Sequence, residues 1–91
     1  MLTNGCNFIR MAYYVYILRS LKDSKFYIGS TADVAARLAC HNAGLQRSTK
    51  NRIPFELVYT ETVSSKEDGL RREKEIKSYK GGNAFKKLLS L

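Results

Sequence analysis

Tryptophan is missing from this sequence, and proline, histidine and cysteine are scarce, at one, one and two copies in 91 residues. Two cysteines, Cys6 and Cys40, cannot build a disulfide framework. Neither has a second Cys or a close His pair beside it, which argues against a structural zinc site. No apolar run approaches the roughly 20 residues that a membrane span needs. The longest, Met11 to Leu18, is eight residues and contains three tyrosines. It also lacks the small-residue cleavage site of a signal peptide. The expectation is one soluble, reduced, cytoplasmic domain with no membrane contact, because a chain this short has no room for a second core.

Acidic residues are also in the minority, eight against sixteen Lys and Arg, for a net charge of +8. A surplus of this size on a small surface collects polyanions, chiefly nucleic acid. It is unevenly placed. Arg71 to Leu91 holds seven basic and two acidic residues, so that fifth of the chain carries +5 of the +8. A charged face kept for solubility is the plainer alternative.

Residues 1–10 show no sustained period and end just before a second methionine, Met11. Residues 1–11 read as a flexible leader, with the folded domain spanning 12–91. Tyr13 to Leu18 is aromatic and β-branched, which suits a strand. It places Tyr14, Tyr16 and Leu18 on one face and Tyr13, Val15 and Ile17 on the other. A polar turn at Lys22 to Lys25 leads to a second strand, Phe26 to Gly29, completing a hairpin. Thr31 is the expected N-cap of a helix through Val34 to Ala39, with Asp33 in its first turn and Gly44 as its stop. Gln46 to Arg52 is polar and basic and reads as a surface loop. Pro54 opens a third strand, Phe55 to Thr60. Ser64 and Ser65 stand three residues before Glu67 and Asp68, the capping-box spacing. A helix from about Ser65 to Tyr79 follows and breaks at Gly81-Gly82. Asn83 to Leu91 is a short basic helix with Phe85, Leu88 and Leu89 inward. The order β-β-α-β-α-α predicts an α+β domain, a three-stranded antiparallel sheet flanked by helices.

On the long second helix, Leu70 and Ile76 lie about 120° apart and are expected to mark the apolar side. Glu73 falls midway between them, while Glu75 points almost the other way. A carboxylate centred on a buried stripe is costly unless it is paired or holds a cation. Helix geometry alone leaves an ion pair and a metal ligand equally open for Glu73. Arg37 and His41 are four apart and share a face of the first helix. A guanidinium suits a phosphate oxygen, and an imidazole can relay a proton or hydrogen-bond a phosphate. Tyr16 and Tyr27 sit on the two arms of the hairpin, where cross-strand tyrosines are most often packing. Gly29, at the end of the second arm, permits close approach of backbone or ligand.

Taken in order, these residues resemble a family. Tyr14-Val15-Tyr16, ten residues, then Tyr27-Ile28-Gly29 is similar to the paired motif of the GIY-YIG nuclease superfamily. Arg37-x-x-x-His41-Asn42 resembles its arginine helix, and Leu70-Arg71-Arg72-Glu73-x-x-Ile76-Lys77 the segment bearing its metal-binding glutamate. The resemblance runs from Ala12 to about Leu89 and is nearest to the small single-domain bacterial members.

It implies hydrolysis of a phosphodiester in DNA, with RNA left open, using one Mg²⁺ or Mn²⁺ ion. Glu73 would be the sole protein ligand of that ion, and Arg37 would clamp the phosphate. Tyr27 would take a proton from the attacking water, Tyr16 would orient it and His41 would assist. Asn83 corresponds to a polar residue that the family places near the phosphate. The basic face expected to hold the nucleic acid comprises Lys50, Arg52, Arg72, Lys77, Lys80, Asn83 and Lys86. Two departures stand out. Tyr14 replaces the first motif glycine, and Ser30-Thr31 occupies the place where some repair members carry a lysine. Without that lysine the identity of the base is open. The leading expectation is a metal-dependent endonuclease of DNA repair, recombination or processing of branched or foreign DNA, acting as a monomer or transient homodimer. The alternatives are a non-catalytic nucleic-acid-binding module and an accessory subunit of a nuclease.

Overall fold

The computed structural model describes residues 12–90, so the expected leader over 1–11 lies outside the described residues. The elements follow in the expected order: β1 (Tyr13–Ser20), β2 (Phe26–Thr31), α1 (Val34–Asn42), a 3₁₀ turn (Lys50–Arg52), β3 (Phe55–Val63), α2 (Lys66–Ser78) and α3 (Asn83–Leu89). The strands pair antiparallel in the order β2-β1-β3. Each runs two or three residues beyond its sequence boundary, because pairing in the sheet outweighs the polar side chains at the strand ends.

The central strand is covered on both sides. Val15 and Ile17 pack with Ile76 of α2 and Phe85 of α3 in one layer. Tyr16 and Leu18 pack with Phe55 in the other, where Val34 and Leu38 of α1 close over them. A strand enclosed on both faces needs apolar residues at successive positions, which accounts for the unbroken run in β1. The faces are those expected from alternation. Between Ile17 and Leu18 the β1–β3 register slips, so Val58 is an extra residue on β3 and lies exposed.

Local chemistry fixes the helix ends. Asp33, not Thr31, caps α1: its carboxylate accepts from the Ala36 N–H at 3.0 Å, while Thr31 is drawn into β2. The helix ends as expected, with Gly44 at positive φ donating to the His41 carbonyl and Leu45 to that of Cys40. Ser65 caps α2 through the Asp68 N–H. Asn42 then ties the end of α1 to the start of β3, donating to the Phe55 carbonyl and accepting from its N–H.

The inner face of α2 differs from the expected one. Leu70 is 51% exposed, and Gly69 and Ile76 are the buried residues. A Cβ on Gly69 would lie 2.9 Å from the Tyr13 ring and 3.4 Å from the Ser30 side chain. The missing side chain therefore lets α2 lie directly on β1 and β2, turning Leu70 outward.

Candidate active site

β2 is an edge strand, and its successive residues face opposite layers. Gly29 stands opposite Tyr16 in the β1–β2 register, and a Cβ there would come within 2.5 Å of the Tyr16 oxygen. The close approach permitted by this glycine is therefore made by the Tyr16 phenol, which lies across the backbone of the edge strand. Tyr27, two residues earlier, is the diagonal neighbour on the same face, with ring centroids 6.3 Å apart.

His41 comes down onto these rings from the last turn of α1 and has no exposed surface. Its Nε2 lies 3.2 Å from Tyr16 Oη, its Nδ1 lies 2.8 Å from Thr49 Oγ1, and its ring meets Tyr27 edge-on at 4.7 Å. The buried His41 ring is thereby a hydrogen-bond partner of Tyr16. Thr49 lies in the segment expected to be surface loop, yet it is completely buried. Nothing in a polar stretch without periodicity marks which residue turns inward.

Arg37 stands one turn before His41 and lines a cleft of about 320 Å³ with Thr31, Asp33, Ala36 and Cys40. Among the described residues its guanidinium has no ion-pair partner. Glu73 arrives from the opposite layer. Its carboxylate accepts from Ser30 Oγ at 2.9 Å and from Lys77 Nζ at 2.7 Å, and its side chain is 19% exposed. The inward reading of Glu73 and the outward one of Glu75 both agree with the structure.

Electrostatics ties the two layers together. Burial raises the Tyr16 phenol well above the ordinary tyrosine range, the neighbouring Tyr27 and Glu73 add to the rise, and Arg37 opposes it. His41 is held below its usual value by burial first and by the Arg37 charge second. A histidine depressed in the folded state binds fewer protons there than in the unfolded chain. Its contribution to stability is present above pH about 6.5 and is lost as pH falls through the lower folded value. The melting temperature should accordingly drop between about pH 7 and 5, and His41→Gln should flatten that part of the profile. An equally steep fall in the variant would show that other groups govern it.

The basic residues expected to bind nucleic acid separate into two groups. Arg72 is enclosed by Glu61, Glu75 and Tyr79, and the Glu61 hydrogen bond chiefly raises its pKa further. Arg52 pairs with Asp23 and lies over the Phe55 ring. Both guanidiniums are ion-paired within the domain and remain about a quarter exposed. Lys50, Lys80, Asn83 and Lys86 are exposed, and Lys77 is paired with Glu73.

Among the described residues no three His, Cys, Asp or Glu side chains cluster as a metal cage, and no helix is long and apolar enough to cross a membrane. Glu73 is a hard oxygen donor, half-buried, and already holds the cationic end of Lys77. That suits Mg²⁺, which keeps most of its waters and is commonly bound through one or two carboxylates.

Comparison with known proteins agrees with this fold. Residues 12–86 match the GIY-YIG catalytic domain. The chain is 50% identical over 68 residues to a UPF0213 protein of Staphylococcus haemolyticus, covering 74% of this chain and 82% of that one. It is 46% identical over 67 residues to a UPF0213 protein of Natronomonas pharaonis, covering 72% and 78%. The solution NMR structure of a UPF0213 protein from Bacillus halodurans shares 40% identity at a TM-score of 0.54, covering 88% of this chain and 84% of that one. With the paired tyrosine motif on β1 and β2, the arginine on α1 and the glutamate on α2, this chain belongs to the GIY-YIG family of nucleases.

Proposed function

We propose that this protein is a divalent-metal-dependent endonuclease that hydrolyses phosphodiester bonds in DNA, in repair, recombination or the processing of branched or foreign DNA. The observation that supports this best is the position of the Tyr16 oxygen. It lies 3.2 Å from His41 Nε2 and against Gly29. The next two residues of β2 reach the other two groups, Ser30 donating to Glu73 and Thr31 lining the cleft of Arg37. Packing alone gives no reason to gather an arginine, a carboxylate, an imidazole and a buried phenol around three successive residues of one edge strand.

Glu73 would hold a Mg²⁺ or Mn²⁺ ion, exchanging the Lys77 ammonium for it. When bound, such an ion supplies positive charge to offset the negative charge that develops on the leaving 3′ oxygen. Arg37 presents its planar fork to the phosphate oxygens from the cleft beside α1. Tyr16 accepts a proton from the attacking water while its own phenolic proton passes to His41 Nε2. The water oxygen keeps the bonding pair and becomes the nucleophile, and no free phenolate is required. Tyr27, edge-on to the imidazole, would offer its hydroxyl to the same water. This exchanges the roles that the family resemblance implies for the two tyrosines. The Tyr16 oxygen has an acceptor in His41, and among the described residues Tyr27 has none. Exposed Lys50, Lys80, Asn83 and Lys86 would hold the flanking backbone in a salt-dependent way.

Arg37→Ala is expected to reduce cleavage by about 10²–10³-fold, the usual cost of one preorganised donor to a developing charge. Arg37→Lys should recover only part of it, since an ammonium lacks the fork. Single-turnover cleavage of a labelled DNA measures both. Full activity in Arg37→Ala would remove Arg37 from the phosphate site.

A further inference from the structure

The contacts of His41 pose a choice that its ring alone does not settle. One nitrogen faces the Tyr16 hydroxyl and the other the Thr49 hydroxyl, and the whole group is buried. A neutral imidazole carries one N–H, and the hydrogen bond at one nitrogen decides the state of the other.

Thr49 has a second partner. Its Oγ1 lies 3.4 Å from the Gln46 carbonyl oxygen, an acceptor with no hydrogen to offer. If Thr49 donates there, its lone pair accepts from His41 Nδ1–H, Nε2 is left bare, and the Tyr16 hydroxyl donates to Nε2. Every hydrogen in the chain Tyr16, His41, Thr49, Gln46 then has an acceptor. In the opposite arrangement Thr49 donates to Nδ1, Nε2–H donates to Tyr16, and the Tyr16 hydrogen has no acceptor among the described residues. Buried polar hydrogens without partners are costly, and a chain running one way strengthens each link. We propose that Thr49 is a positioning residue that fixes His41 as the Nδ1–H tautomer, so that Nε2 stands ready to take the phenolic proton of Tyr16. The catalytic part of this inference rests on the nuclease reading above, whereas the tautomer itself does not.

The step it permits balances. A proton moves from water oxygen to Tyr16 Oη as the Tyr16 proton moves to His41 Nε2, leaving hydroxide for the phosphorus and an imidazolium that keeps its Nδ1–H on Thr49. The hydroxide oxygen bonds to phosphorus as the P–O3′ bond breaks, and the leaving 3′ oxygen takes a proton from solvent. The imidazolium returns its proton to Tyr16, whose own proton passes to solvent and restores the start. With the other tautomer Nε2 is already occupied, and the phenol has nowhere to send its proton.

His41 is the only histidine in the sequence, so its two ring nitrogens can be read without assignment in a ¹⁵N-labelled sample of the full chain. Long-range ¹H–¹⁵N correlation near neutral pH should show a protonated Nδ1 and a bare Nε2 in wild type. Thr49→Ser should keep that pattern, and Thr49→Val should lose it to a mixture or to the Nε2–H form. Wild type as Nε2–H, an unchanged pattern in Thr49→Val, or Thr49→Ser behaving like Thr49→Val would each overturn the proposal. A merely structural threonine would move the melting temperature of Thr49→Val without moving the tautomer. In cleavage assays Thr49→Val should lose about 10–100-fold in turnover, as when an orienting partner is taken from a functional histidine, and Thr49→Ser should regain most of it. The expected spectra with wild-type cleavage in Thr49→Val would overturn the positioning role. Absence of cleavage in wild type itself would overturn the nuclease reading, while the spectra would still decide the tautomer.

Discussion

Glu73→Ala should abolish metal-dependent cleavage, by about a thousandfold or more, and leave the domain folded. Losing the single protein ligand of the ion forfeits several kcal/mol of charge stabilisation, and each 1.36 kcal/mol is about tenfold in rate. The structural cost is small by comparison. Glu73 gives up a bond from Ser30 and an ion pair with Lys77, whose side chain is 54% exposed. Together these amount to about 1–2 kcal/mol. Glu73→Gln keeps the Ser30 contact and the side-chain volume, so it should lose cleavage with even less effect on melting. Glu75→Ala should be close to wild type in cleavage, because Glu75 faces outward to Arg72 and Tyr79. Parallel cleavage and melting curves check all three. An equal loss at 73 and 75, or cutting retained in Glu73→Ala with Mg²⁺ present, would remove Glu73 from the centre of the site.

Gly29→Ala should be nearly as damaging although it adds one methyl group. The new Cβ would lie 2.5 Å from the Tyr16 oxygen and 2.7 Å from its Cζ, inside any real contact. The phenol cannot simply turn away, because Tyr16 is 3% exposed and packed between Leu18, Phe55 and the α1 layer. Overpacking of this kind costs about 1–3 kcal/mol of stability and shifts the ring off the His41 nitrogen. Cleavage should fall by about 10²–10⁴-fold, the range for loss of a positioned acid–base group. Tyr16→Phe supplies the control. If Gly29 acts through Tyr16, the double variant should cut no worse than the more damaged single one. Losses that multiply would mean that Gly29 serves the site by another route, such as the approach of the substrate backbone.

These two residues show how differently the sequence exposes its parts. Glu73 was legible because helix periodicity puts it on the inward face, where an unpaired carboxylate demands a reason. The faces of β1 followed from alternation, and the capping serine of α2 from its spacing to Asp68. Tyr16 and Gly29 were recognisable as motif residues, but their apposition depends on hairpin register, which a turn of uncertain length leaves unset. Thr49 and Gly69 gave no local signal. One is a buried hydroxyl within a polar loop, and the other is a missing side chain that admits a helix. Leu70 misled for the same reason: periodicity counts apolar side chains and does not count the contact a glycine allows. For Arg52 and Arg72 the charge was legible but the pairing was not, since their acidic partners lie 29 and 11 residues away in sequence and meet them only in the fold.

Cleavage of a labelled panel of duplex, flap, branched and single-stranded DNA bears most directly on the nuclease assignment. The wild-type chain would be run with Mg²⁺, Mn²⁺ or EDTA, beside Glu73→Ala and Arg37→Ala. Products that need the metal and disappear in both variants are the expected result, and the strand that is cut names the substrate. Salt-sensitive retention of DNA with no product in either metal would contradict the assignment and leave a module that binds nucleic acid without cutting it.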